Sequence, residues 1–159
     1  MYLRNWLHSG TVPGRYADKA LHWKGIGLEQ YLKTVHTEAC LAIRMARTQI
    51  YPAAIRYRQE LASSAASCAS LGIPASLDTL KELSDIIAKF EDALRVLEGR
   101  NASLAWAPGE EGLLDSAREA LTTVIPAMEE LRRWADKLET RVADNLWPLP
   151  SYLEMLFMK

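Results

Sequence analysis

The sequence predicts an all-α fold: an antiparallel bundle of three long helices, two of them kinked, with an irregular N-terminal arm and a docked C-terminal tail. Three observations lead there. Apolar residues recur at steps of three or four along three separate stretches, which places them on one face of a helix in each. Helix-breaking residues gather between those stretches, at Gly72-Ile73-Pro74 and again from Asn101 to Gly112. No segment carries an alternating strand pattern of comparable strength.

The first stripe starts at Leu28 and passes through Leu32, Val35, Ala39, Ala46, Ile50, Tyr57, Leu61 and Ala65. It predicts a helix over residues 28–70, a rod of about 60 Å at 1.5 Å per residue. Gly72 suits the reversal after a helix and Pro74 cannot continue one. Ser76 is placed to cap the next helix, with Asp78 at its positive end. Leu80, Leu83, Ile87, Phe90, Leu94 and Leu97 supply the second stripe, over residues 77–98. A loop follows, with Trp106 as a plug over the end of the bundle. The third stripe, Leu114, Ala117, Leu121, Val124, Leu131 and Leu138, predicts a helix over residues 113–144, and the tail occupies 145–159.

Two prolines lie well inside these stripes, Pro52 in "TQIYP" and Pro126 in "TTVIP", each four residues after a threonine. Proline lacks the amide donor, and its ring collides with the carbonyl four residues back. A helix that continues past it bends. The expectation is therefore two kinked helices at Pro52 and Pro126; a chain reversal at either proline would contradict it.

Residues 1–26 form the arm, a separate region ahead of the bundle domain at 27–159. Arg4, Arg15, Lys19 and Lys24 face a single acid, Asp18, among Tyr2, Trp6, Tyr16 and Trp23. Basic residues between aromatics are one signature of nucleic-acid binding, but the plainer expectation is rings that cover a helix face. A net charge of -1, from 19 Lys and Arg against 20 Asp and Glu, argues against broad attraction to nucleic acid or an anionic membrane. The composition, 49% hydrophobic and 25% charged, is that of a folded domain. The longest uncharged run, Leu61 to Leu77, is mostly Ala and Ser and a poor membrane span. Two cysteines without a CxxC pair fit a reducing compartment, so the expected location is cytoplasmic.

Chemistry is sparse. His36 and Cys40 have the i, i+4 spacing of metal ligands, yet no local pattern supplies further ligands. Both Cys40 and Cys68 are expected to be buried and inert. Phosphate-cradling loops, the zinc-hydrolase helix and the nucleophile elbow are all missing from the sequence. No catalytic, cofactor-binding or metal-binding residue is therefore assigned. The candidate sites are interfacial. Arg44, Arg47 and Arg58 fall near one face of the first helix, where pairing with Glu129, Glu130 and Asp136 of the third is expected, or contact with an anionic surface of a partner. Trp147, Tyr152 and Phe157 supply an apolar tail that must dock on the bundle or on a neighbour.

Two stretches carry a family resemblance: "ACLAIRMARTQIYPAAIRYRQELA", from Ala39 to Ala62, and "VADNLWPLPSYLEMLF", from Val142 to Phe157. Both resemble the C-terminal region of type III glutamine synthetases, the large bacterial form of that enzyme, and "VIPAMEELRRWADKLE" resembles the same region. The resemblance extends from about Leu28 to the end and does not include residues 1–26. It implies an ATP-dependent glutamate-ammonia ligase of nitrogen assimilation, built as a ring of identical subunits and using ATP and a divalent metal. The family's metal-binding glutamates precede the matched segment, so no catalytic residue carries over. The function implied for this chain is a non-catalytic helical domain that supports subunit or interdomain contacts. Its partners would be the catalytic domain and identical subunits, with no nucleic acid and no membrane. The alternative is an independent helical-bundle interaction protein acting as a homo-oligomer.

Overall fold

The computed structural model describes the backbone of residues 15–104 and 110–150 and the side chains of residues 27–104 and 111–150. The described residues are helical, with no strand. The first rod is α1 (Arg15–Met45), a π-helical turn (Ala46–Ile50) and α2 (Tyr51–Ser70), continuous through all three. The second is α3 (Asp78–Ser103). The third repeats the design of the first: α4 (Glu110–Glu119), a π turn (Ala120–Val124) and α5 (Ile125–Glu139). A short 3-10 turn (Asp144–Leu146) follows.

Three boundaries differ from expectation. The first rod begins at Arg15 and not near Leu28, so the second half of the proposed arm is helix. The second runs to Ser103, carrying Gly99 and Asn101 inside it. The third stops at Glu139, where the Thr140 amide bonds back to the Asp136 carbonyl and that of Val142 to Leu138. Residues 1–14, Trp106, Tyr152 and Phe157 lie outside the described residues.

Both prolines are passed without a reversal, by the same local device. Tyr51 donates its amide to the carbonyl of Ala46, and Ile125 to Ala120, each five residues back. Widening the turn in this way lets Pro52 and Pro126 fall in the first turn of the α-helix that follows, where a missing amide costs least. The threonines fit the same scheme. Thr48 Oγ1 donates to the Arg44 carbonyl at 2.7 Å and Thr122 Oγ1 to that of Arg118 at 2.8 Å, the back-bonding that bends helices. Aligning the two sites gives Ala-x-Thr-x-(Ile/Val)-x-Pro-Ala, at 46–53 and again at 120–127. In both copies the first alanine, the β-branched residue and the last alanine are buried.

The turn between the first two rods is closed by Gly72, whose φ of 72° lies in the left-handed region. The Ile73 amide donates to Cys68 and that of Gly72 to Ala69, the paired bonds of a glycine-terminated helix. Ser76 sits one residue too early to be the cap: α3 follows Leu77, and the Asp78 amide reaches the Ser76 hydroxyl at 3.4 Å.

The second rod forms the centre of the bundle. Leu83, Ile87, Phe90, Leu94 and Leu97 of α3 are buried between Leu32, Val35 and Ala39 of α1 and Val124, Leu131 and Leu138 of the third rod. Phe90 is fully enclosed at 0% exposure; burying such a side chain contributes about 1.5–3 kcal/mol. The first and third rods run parallel, since α1 lies against α4 and α2 against the 3-10 turn. The second is antiparallel to both.

Candidate functional site

Arg47 lies in the first π turn and reaches across to α3. Its Nε donates to Glu98 Oε1 at 2.5 Å and its Nη2 to Oε2 at 2.6 Å, a two-pronged pairing that suits a guanidinium. That hydrogen bonding holds the Glu98 carboxyl below the usual carboxylate range and raises Arg47 further. Of the partners expected on the third rod, Glu129 is exposed and makes no ion pair among the described residues, while Glu130 and Asp136 are otherwise engaged. Glu130 accepts from Arg133 and from the Trp134 indole, both at 2.6 Å, and Asp136 lies 3.9 Å from Arg132. Spacing alone named the wrong helix because α3, not the third rod, faces Arg47.

Arg44 is exposed and Arg58 half-buried, and neither has an ion-pair partner among the described residues. The π turn lies between them and carries one extra residue, which rotates everything beyond it by about a quarter turn. Arg58 is thereby displaced from the strip that a straight helix would share with Arg44 and Arg47. Trp147 is half-buried, and with Leu146 and Leu149 it packs against the core cluster. Its amide bonds to the Ala143 and Asp144 carbonyls, both at 3.1 Å. The tail thus docks on its own bundle as far as Leu149.

Two groupings were not foreseen. Trp134, on the third rod, is half-buried and surrounded by cations: Lys137 Nζ lies 4.1 Å from the ring centroid, Lys89 Nζ 5.1 Å and Arg133 5.2 Å. Arg133 first, and then the indole N–H of Trp134, hold the Glu130 carboxyl below its ordinary range. Shallow open clefts flank this ring on both sides. They lack the enclosure of a ligand pocket.

The second grouping joins α1 to the end of α3. Cys40 is exposed and Cys68 half-buried, so neither is the fully buried apolar residue expected. Cys40 Sγ lies 3.6 Å from His36 Nε2, His36 Nδ1 lies 3.0 Å from Asn101 Oδ1, and Asn101 Nδ2 lies 3.4 Å from Cys40 Sγ. The i, i+4 spacing of His36 and Cys40 was legible; Asn101, 65 residues from His36, was read as loop. Among the described residues no three His, Cys, Asp or Glu side chains gather as a metal site. No helix of the described residues is long and apolar enough to cross a membrane.

The architecture has relatives. The family model described as the glutamine synthetase C-terminal domain matches residues 20–69, which is most of the first rod. A glutamine synthetase of Bacteroides fragilis (strain YCH46) is 28% identical over 139 residues, covering 84% of this chain and 19% of that protein. One from Butyrivibrio fibrisolvens is 29% identical over 141 residues, covering 82% and 19% respectively. The type-3 glutamine synthetase of Dictyostelium discoideum is 27% identical over 141 residues, 82% of this chain and 18% of that protein. No solved structure matches. The chain spans less than a fifth of the length of the curated relatives it matches. Residues 20–69 match the glutamine synthetase C-terminal domain, and over most of its own length the chain is distantly homologous to glutamine synthetases, the type-3 enzyme among them.

Proposed function

We propose that this chain acts as a non-catalytic C-terminal helical domain of the type III glutamine synthetase kind, making contacts with a catalytic domain or with identical subunits. One observation carries the reading: the match takes in 82–84% of this chain but only 18–19% of the relatives. In this reading ATP and the divalent metal are bound by the remainder of the enzyme, and the ligase reaction is completed there, in the cytoplasm. The contact role has support in Arg44 and Arg58, which have no ion-pair partner among the described residues. It is also supported by Leu71, Ile73 and Leu77, which are 75%, 53% and 44% exposed close together at the turn between the first two rods. Apolar side chains that gather at a surface, unlike single ones, mark contact sites.

A glutamyl hydroxamate assay on the purified chain tests the reading. No turnover is expected, and ATP- and metal-dependent product formation would overturn it. The in-frame coding DNA upstream of Met1 separates a domain of the enzyme from an independent homo-oligomeric module. A catalytic glutamine synthetase domain there supports the first; a promoter supports the second.

A further inference from the structure

The contacts within the His36, Cys40 and Asn101 cluster favour one proton arrangement. The amide oxygen of Asn101 can only accept, so His36 Nδ1, 3.0 Å away, must donate to it. In the neutral imidazole this leaves Nε2 as the basic nitrogen, and Nε2 is the atom that faces Cys40 Sγ at 3.6 Å. The other end of the same amide, Nδ2–H, donates to Sγ at 3.4 Å, so charge that develops on sulfur has a donor in place. A nucleophile beside a base, with the base oriented by a third group, is the general arrangement of an activated nucleophile. Cys40 is also exposed to solvent.

We propose that His36, Cys40 and Asn101 form a reactive-thiol site at which Cys40 undergoes exchange with small-molecule disulfides. The Cys40 proton passes to His36 Nε2 as Sγ attacks one sulfur of the disulfide R–S–S–R. A new Cys40–S–S–R bond forms, the R–S–S–R bond breaks, and the departing thiolate takes the proton from the imidazolium to leave as R–SH. Cys40 is oxidised and half of the small disulfide is reduced. The chain has only one other cysteine. Cys68 lies 28 positions further along the same rod, about 42 Å away at 1.5 Å per residue, far beyond the span of a disulfide. The mixed disulfide therefore persists until an external thiol removes it. A group attached to Sγ also displaces the Asn101 amide from the seam between α1 and α3. Asn101 acts at both ends of its amide, orienting His36 through Oδ1 and donating to the reacting sulfur through Nδ2–H.

The test uses the full chain with Cys68→Ala, so that Cys40 is the only thiol, and 5,5′-dithiobis(2-nitrobenzoate) as the disulfide. Mass spectrometry of the adduct confirms the product. Exposure alone cannot make a folded thiol faster than an unfolded one. The expected result is a Cys40 rate about tenfold higher in the folded chain than in urea, since a positioned base takes up the proton as Sγ attacks. Adding His36→Phe should bring the folded rate to or below the unfolded one. Adding Asn101→Ala should lower the folded rate severalfold without changing the urea rate. A folded rate no higher than the urea rate in the Cys68→Ala chain overturns the proposal. So does a folded His36→Phe chain, with helicity preserved, that reacts as fast as its parent.

Discussion

Arg47 and Glu98 illustrate how much one side chain contributes once its neighbour is known. The pair joins two rods with good geometry, yet Arg47 is 57% exposed and Glu98 28%. Solvent screens such a pair, and a double-mutant cycle with Arg47→Ala and Glu98→Ala should give a coupling in urea unfolding that is small beside the loss from truncating a core side chain such as Leu94. Its pH dependence has a definite sign. The folded carboxyl is held below its ordinary value by Arg47, so the contribution is present above the unfolded pKa of about 4.3 and is lost as pH falls through the folded value. Glu98→Gln should therefore be less stable than the parent at pH 7, with the difference shrinking below about pH 4. A constant difference across that range would assign the effect to packing. At this scale the sequence was a partial guide. It singled out Arg47 and the His36/Cys40 spacing, but Glu98 and Asn101 are brought to them only by the way α3 lies against α1, which no local pattern encodes.

At the scale of elements, the three rods were legible because apolar residues repeat on one face over many turns. The π turns were not. A π turn differs from an α turn by one residue, and the first stripe has adjacent apolar pairs, Ala42/Ile43 and Ala53/Ala54, that satisfy either spacing. The helical start at Arg15 was hidden by Gly25, Gly27 and a basic, aromatic composition without a stripe. Because each π turn resets the frame, Pro52 and Pro126 do not incur the cost of an interior proline. Pro52→Ala should change stability by less than about 1 kcal/mol, whereas Ala88→Pro, at an exposed position inside α3, should cost about 3 kcal/mol or more. Denaturant midpoints of the two variants compare these directly. Equal losses would mean that the π turn relieves nothing.

For the whole molecule, stability is unevenly distributed. The centre is held by Phe90, Leu94 and Leu97 with the two π turns on either side. Toward the turn at Gly72 the first rod is built from Ala and Ser, and residues 62–64, 66–67 and 69–74 are all exposed. Local opening follows the density of buried apolar contacts. Amide hydrogen exchange should be slowest in α3 from Ile86 to Leu97 and at least about a hundredfold faster in residues 66–77, the analogue of a 3 kcal/mol gap in opening free energy. Uniform protection would point to something covering that end.

The parallel course of the first and third rods has a consequence for engineering. Many domains have neighbouring termini and tolerate re-cutting of the chain. Here three passes leave Arg15 at one extremity and Pro150 at the other. Joining position 150 directly to position 15 would take a connection as long as the bundle itself, at least about 45 Å for the 30 residues from Glu110 to Glu139 at 1.5 Å each. A pair of fluorophores attached at positions 15 and 150 would therefore report the length of the bundle.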